Sequence, residues 1–484
     1  MKRWAAVAML IALGGLGWWA FRSRPAAAPA RQSLSFLLTC DVRGRLVPCG
    51  CFTGQFGGLT RIMSLFGKGA EPDSIKVDAG DALAGSADYE VIQYRYIQRA
   101  FALMGYDALN AGHREARLSA AQLRTLKAAA PVTMLSANLL EKATGAPLLD
   151  PWKIVRRGPW RIALVGVLDP HGLDETLGDG LAVEEMDVAL ERILPKLSGQ
   201  ADFCVLLAFT DEAGLGKLAR QFYELNVILG GKVSQPSQHL VKENRSYLLA
   251  TTNEARAVGL LQTKLIGKNH LEAVKGEVKL VTQEVPQDDE IRALAQAYRD
   301  EVRKAKLSVD DLTKLREDMV PGVKASSSYA GSQSCAVCHP SAWAAWSNSS
   351  HSRAFASLKT AGADADPNCI GCHTVGFGTL SGYLRQFAGA KLTDVGCESC
   401  HGPGGRHIAQ RQARGEGRER ERAASETPKA TGLLGSGDAE PPARLRTVGE
   451  SDCRICHRGE FSRPFAWNQF WPVIAHGKEA SPPR

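Results

Sequence analysis

Cys335-Ala-Val-Cys-His339, Cys369-Ile-Gly-Cys-His373, Cys397-Glu-Ser-Cys-His401 and Cys453-Arg-Ile-Cys-His457 are four copies of one pentapeptide in the last third of the chain. Two thiols three residues apart can add across the two vinyl groups of a haem, and the adjacent histidine then reaches the iron as proximal ligand. Chance would supply on the order of 0.01 such pentapeptides at this cysteine and histidine content, so zinc sites and disulfides are set aside. The motifs imply four covalently bound haem c groups, attached at Cys335 and Cys338, Cys369 and Cys372, Cys397 and Cys400, and Cys453 and Cys456. His339, His373, His401 and His457 are the proximal ligands. Electron transfer is the default function of such a module.

The sixth ligands follow from a count. Apart from the motif histidines the region holds only His351, His407 and His476, and no methionine follows Met319. Methionine ligation of the high-potential kind is therefore set aside unless the N-terminal half reaches in. Three spare imidazoles for four irons leave one centre short. The expectation is three low-potential bis-histidine centres, and one whose sixth position is open, holds water, or is filled by His113, His171, His239 or His270. An open iron can bind small molecules; a bis-histidine iron mainly passes electrons.

The order of these residues resembles the multihaem family of cytochrome c-554, tetrahaem carriers that accept electrons from hydroxylamine oxidoreductase. The matching run is Tyr329-Ala-Gly-Ser before the first motif, Trp346 before Ser350-His351, Thr374-Val-Gly376 after the second, and Val395-Gly before the third. Gly402-Pro-Gly404 then follows, with His407 close behind. The resemblance covers residues 326–484 and implies a mainly α, haem-packed domain whose second haem, the one on His373, is five-coordinate. The chain departs from it between His407 and Ser451, where ARGEGRERERAASE (Ala413–Glu426) precedes a Gly- and Pro-containing stretch. That segment reads as a solvated surface loop, with docking of an acidic redox partner as the alternative.

Haem is attached covalently outside the cytoplasmic membrane, so the chain is expected in the periplasm of a Gram-negative-type bacterium. Met1-Lys2-Arg3 precedes an uncharged run from Trp4 to Phe21, followed by Arg22, Arg24 and PAAAPA. The run is long enough at its lower limit to span a bilayer and reads as an inner-membrane anchor in preference to a cleavable signal peptide. The formal charge of +8 omits the haem propionates. It supports no nucleic-acid partner; the expected partners are a redox donor and an acceptor.

Residues 33–285 are of a different kind. Apolar runs at Leu34 to Leu38, Ser74 to Val77, Trp160 to Val167, Asp202 to Ala208, Leu225 to Leu229 and Tyr247 to Ala250 alternate with helix-compatible stretches. This pattern predicts an α/β domain. Several runs end in acids, as Cys40-Asp41, Asp78-Ala-Gly80-Asp81 and Leu168-Asp169 do, and sites in such folds gather at strand carboxyl ends. Residues 286–325 supply a helix, with Ile291, Leu294, Ala295, Tyr298 and Val302 on one face, and then a linker. Residues 1–32 are the leader.

The same segment resembles the calcineurin-like metallophosphatase domain of 5′-nucleotidases, including members with a Cys-Gly-Cys element. The residues that carry this are Asp41-Val-Arg43-Gly44, Cys49-Gly-Cys51, Gly57-Gly58-Leu-Thr-Arg61, Asp78-Ala-Gly80-Asp81 and Asp107-Ala-Leu-Asn-Ala-Gly112. It implies an α/β sandwich in which the catalytic groups are largely replaced. Arg43 stands where the family's Asp-x-His has histidine, and Gly-Asn-His-Glu becomes Gly112-His113-Arg114-Glu115. Phe209 and Lys232 stand where further ligand histidines belong. Asp41, Asp81 and His113 remain as a degenerate pocket, too few for a two-metal centre.

Cys40, Cys49 and Cys51 add sulfur to that pocket. They read as a stabilising disulfide with a spare thiol, as a redox-active group coupled to the haems, or as metal ligands. Cys204, inside Phe-Cys-Val-Leu-Leu-Ala-Phe, reads as core. The favoured function is an electron-transfer cytochrome with a degenerate metallophosphatase-like domain for docking or substrate binding. Its alternatives are a small-molecule reductase at the under-ligated haem or the thiols, and an active phosphoesterase carrying a cytochrome.

Overall fold

Seven consecutive buried residues, Phe203 to Phe209, form a strand whose two faces enter different cores. Val205, Leu207 and Phe209 join one hydrophobic cluster, while Cys204, Leu206 and Ala208 join another. Side chains alternate across a strand, so a run apolar at every position needs cover on both sides. That requirement sets the layering of the first part of the chain. A computed structural model describes residues 32–48, 55–66, 74–173, 176–252, 254–305, 328–379, 381–383, 390–413, 445–457 and 465–476. The apolar run at 4–21, Cys49, Cys51, most of the linker and nearly all of the Arg- and Glu-rich segment lie outside these residues. Among the described residues no helix is long and apolar enough to cross a membrane.

In chain order the strands are β1 (Gln32–Thr39), β2 (Ile75–Asp78), β3 (Ala108–Asn110), β4 (Thr133–Leu135), β5 (Leu139–Glu141), β6 (Trp152–Arg157) and β7 (Trp160–Leu168). They continue as β8 (Leu181–Val183), β9 (Phe203–Phe209), β10 (Val227–Gly231), β11 (Val241–Glu243), β12 (Ser246–Ala250), β13 (Ala257–Gly267) and β14 (His270–Leu280). One six-stranded sheet runs β14-β13-β1-β2-β3-β4 and a second β11-β12-β10-β9-β7-β6. Leu34, Phe36 and Leu38 of the first sheet share a core with Ile162, Leu164, Val205 and Leu229 of the second. Helices Met186–Leu197 and Glu212–Gln221 cover the second sheet's other face through Leu190, Ile193, Leu215 and Leu218.

All six apolar runs appear as strands. The pairing of β13 with β14 was not legible from them, because β14 is largely exposed and lacks an apolar run. Its turn needs Asn269 at φ 53°, in the left-handed region that asparagine tolerates.

The helix Asp289–Lys304 buries the predicted stripe, Ile291, Leu294, Ala295, Tyr298 and Val302. The Asp288 side chain caps its first turn by accepting from the Ile291 amide at 3.0 Å. Acids at its start and Arg303 and Lys304 at its end complement the helix dipole. The stripe enters the core of the first sheet. Its other side reaches the C-terminal region, where Arg303 pairs with Asp364 at 2.8 Å and Arg299 donates to the Ala361 carbonyl at 3.1 Å.

That C-terminal region is a set of short helices. Pro340–Ser347, Ala354–Thr360, Pro367–His373, Cys397–His401, Glu450–Arg454 and Trp467–Ile474 are the principal ones. Phe355, Leu358, Ala363, Ile370, Phe377 and Tyr383 make its one small protein-only cluster among the described residues.

Ile291 is fully buried, and truncation of such a residue typically costs about 2–5 kcal/mol. Ile291→Ala should lower the stability of the α/β part by that amount in urea unfolding followed by circular dichroism. A cost within about 0.5 kcal/mol, the range of surface substitutions, would show that the helix is not docked there.

Candidate functional site

Two constellations stand out, one in the crevice of the α/β part and one among the short helices. In the crevice, strand carboxyl ends present acids, as the doubly covered sheets require. Asp41 follows β1, Asp81 lies three residues beyond β2, and Asp169 follows β7. Asp41 and Asp81 both have φ 57°, Arg43 φ 46° and Lys232 φ 61°, a concentration of left-handed non-glycine residues typical of functional turns.

Each of these acids meets a cationic side chain. Arg43 Nε donates to Asp41 at 2.5 Å, and its Nη1 donates to Glu254 at 3.1 Å. Arg45 holds the other oxygen of Glu254 at 2.9 Å. Asp81 accepts from the Arg114 backbone amide at 2.8 Å, with Arg114 Nε at 3.6 Å from its second oxygen. Lys232 Nζ donates to Asp169 at 2.7 Å. His171 Nδ1 is 2.8 Å from the other Asp169 oxygen. Thr252 completes the ring by donating to Asp41 at 3.1 Å. A cavity of about 450 Å³ opens beside Asp41, Arg43, Ser234, Gln235, Thr252 and Glu254.

The ionisation of the crevice follows from burial and partners. Burial pushes Asp169 upward, but Lys232 and His171 more than offset it and hold its carboxyl below the usual range. Burial and the neighbouring Glu115 raise Asp81 to about 7. Glu115 is itself buried and accepts from the amides of Asp81, Leu83 and Gly112. His113 Nε2–H donates to the Asp169 carbonyl at 2.8 Å, and its ring meets Phe209 edge-on at 5.2 Å. Asp41, Asp81 and His113 do not come together as a metal-binding group, and among the described residues no trio of His, Cys, Asp and Glu side chains does. Cys40 is buried beneath the crevice, its thiol donating to the Gly80 carbonyl at 3.3 Å, and burial pushes it well up. Cys204 is likewise buried in the core.

In the C-terminal region three pairs of imidazoles face one another. The ring centres of His339 and His407 are 6.4 Å apart, those of His351 and His457 6.2 Å, and those of His401 and His476 5.8 Å. An iron about 2 Å from one nitrogen of each ring would set the centres roughly 6 Å apart, so these spacings fit bis-histidine haem ligation. Each pair joins a motif histidine to one of the three spare histidines. His373 has no such ring partner among the described residues. Its Nδ1–H donates to the Ala354 carbonyl at 2.7 Å, which leaves Nε2 as the ligand atom. His113 and His171, occupied in the crevice, do not reach it.

The surroundings fit haem as well. Helix Trp467–Ile474 carries Trp467, Phe470, Trp471 and Val473, and none of its side chains is buried by protein. An apolar helix of that kind suits the flat face of a macrocycle. The Cys397 amide donates to Ser332 Oγ at 3.0 Å, which ties the residue three before Cys335 to the start of the third motif. Glu398, inside the third motif, is buried and accepts from the amides of Ala330, Gly331 and Gly404 at 3.0, 2.7 and 2.6 Å. It ties the Tyr329-Ala-Gly-Ser loop to the third attachment helix. Sequence reasoning missed Glu398, Glu254 and the partnering role of Asp169. Only Asp169 carried a signal, as an acid at a strand end.

A layered α/β sandwich with acids at its strand ends, joined to a cluster of paired histidines on Cys-x-x-Cys-His helices, defines a metallophosphatase-like fold carrying a multihaem-type region. The comparisons agree on both parts. The sequence model of the family described as cytochrome c554 and c-prime matches residues 334–402. Cytochrome c-554 of Nitrosomonas europaea is 34% identical over 153 residues, 28% of this chain and 59% of its own length. The 5′-nucleotidase of Bos taurus is 24% identical over 324 residues, 60% of this chain and 55% of its own. The crystal structure of a 5′-nucleotidase precursor from Thermus thermophilus superposes with a TM-score of 0.50 at 22% identity, covering 56% of this chain and 59% of that one. The chain thus spans little more than half the length of these relatives. It is a fusion of a 5′-nucleotidase/metallophosphatase-like part with a cytochrome c554-like C-terminal region.

Replacing His407, His476 or His351 by alanine should in each case convert one haem from low to high spin in the oxidised protein, read by electron paramagnetic resonance. A substitution that leaves every centre low-spin would show that the ring in question is not a ligand.

Proposed function

We propose that the chain is a tetrahaem c-type cytochrome of the periplasm that relays electrons between redox partners. In this reading its metallophosphatase-like part serves docking or substrate binding and not hydrolysis. The observation that carries the reading is the set of three imidazole pairs with one motif histidine, His373, left without a ring partner among the described residues. When bound, haem supplies an iron that gains and loses one electron. The paired histidines would hold the iron from two sides and keep small molecules off. The carbonyls of Arg446 and Ile474 accept from Nδ1 of His401 and His476 at 3.1 and 2.9 Å. These bonds hold each ring through Nδ1 and leave Nε2 as the atom that would bind iron. The bond from the Cys397 amide to Ser332 supports proximity of the first and third attachment sites, as a relay needs.

Against hydrolysis stand the pairings in the crevice. A two-metal site lowers the pKa of a bridging water only with several free carboxylate and histidine ligands. Here Asp41, Asp81 and Asp169 each face a cationic side chain. A second reading, reduction of a small molecule, rests on His373: an iron with one imidazole keeps a face open to ligands. The thiols support it less, since Cys40 is buried and its thiol is held protonated.

The mature protein should carry four haems per chain, and when reduced should bind carbon monoxide at one of them, with the signal lost in His373→Ala. Three or fewer haems, or carbon monoxide binding at none, would contradict this. Phosphomonoesters should not turn over with added Mn²⁺; rates on the order of 1 per second that vanish in Asp81→Ala would promote the hydrolase.

A further inference from the structure

Phosphatases of this fold depend on divalent cations, and the residues present here do not fit a pair of them. What the crevice offers is a cation for each of Asp41, Asp81 and Asp169, already attached to the chain. The three cations arrive from separate segments: Arg43 from the loop after β1, Arg114 from the loop after β3, and Lys232 from the residue after β10. Arg43 bridges Asp41 and Glu254 across the mouth of the cavity at 2.5 and 3.1 Å. Arg114 links the β3 loop to Asp81 beyond β2. Lys232 links β10 to Asp169 at the end of β7 at 2.7 Å. A metal ion does the same for its ligands, drawing carboxylates from several strand ends to one charge.

We infer that Arg43, Arg114 and Lys232 are built-in replacements for the divalent cations, neutralising Asp41, Asp81 and Asp169 and holding the strand ends together. A buried carboxylate without a counter-charge is costly, and losing one partner of a buried pair leaves the other uncompensated. A tethered cation also competes for the carboxylate oxygens at high effective concentration, so free ions are excluded. The domain therefore keeps its fold with no dependence on metal supply. This inference rests on the reading of the domain as non-hydrolytic, and goes beyond it by assigning the replaced residues a positive role.

The test uses full-length haem-loaded protein at pH 8, above the value of about 7 to which burial and Glu115 raise Asp81. Mn²⁺ is the probe because oxygen ligands suit it and thiols compete little for it. Wild type should show the same Tm with chelator, with buffer alone and with Mn²⁺, and should retain no divalent metal after desalting. Arg114→Ala and Lys232→Ala should each lower Tm by several degrees, and Mn²⁺ should restore part of the loss. Arg114→Lys should stay near wild type and ignore Mn²⁺. The double variant Asp81→Asn/Arg114→Ala should be more stable than Arg114→Ala and unresponsive to Mn²⁺. If Arg114→Ala does not fold, the lysine and double variants decide: the inference stands if both fold and falls if Arg114→Lys fails as well. A wild type that holds stoichiometric Mn²⁺, or single variants whose Tm is indifferent to it, would overturn the proposal. Phosphatase turnover by the wild type would sink the underlying reading instead, so the two failures are separable.

Discussion

The apolar stripe of the helix Asp289–Lys304 packs into the core of the α/β part, and the same helix touches the C-terminal region through Arg299 and Arg303. Ile291, Leu294, Ala295, Tyr298 and Val302 are buried with the core of the first sheet. Five apolar groups spaced along one face, four of them larger than alanine, fix both the axis and the rotation of a helix. The opposite side is thereby aimed, and Arg299 and Arg303 meet Ala361, Asp364 and Asp366 around the start of the second attachment helix. The paired charges at Arg303 and Asp364 are partly exposed, worth about 0–1 kcal/mol, so they select an orientation that the buried stripe makes stable.

The same economy of charge runs through both parts. Asp366 is buried, which raises its pKa against the pull of Arg299, and it also caps the Pro367–His373 helix through the Asn368 amide. Glu398 is satisfied by backbone amides instead. The crevice acids take arginine and lysine. In each case a carboxylate taken from water meets donors from a distant segment, so the acid specifies tertiary contact as well as local structure.

The strands were legible because buried runs such as Phe203–Phe209 are apolar at every position. The exposed strand His270–Leu280 was not, since its identity comes from pairing with Ala257–Gly267. The attachment motifs were legible because the chemistry needs those residues at that spacing. Which spare histidine faces which motif was illegible, for it depends on the three-dimensional course of the intervening loops. His351 pairs with His457, more than a hundred residues away. The replacement of ligand histidines by Arg43, Arg114 and Lys232 was visible as substitution. That each would turn inward and seize an acid required coordinates. Glu254 and Glu398 had no sequence signal, because any surface glutamate reads alike.

Ala354 accepts from His373, and three residues earlier His351 faces His457. The short segment between them therefore grips two centres at once, one by a carbonyl and one by an imidazole. It acts as a lever with a load at each end. A displacement of the His373 ring would pull on Ala354 and so on the adjoining turn that carries His351. The positions of the two imidazoles are thus linked through a short stretch of backbone.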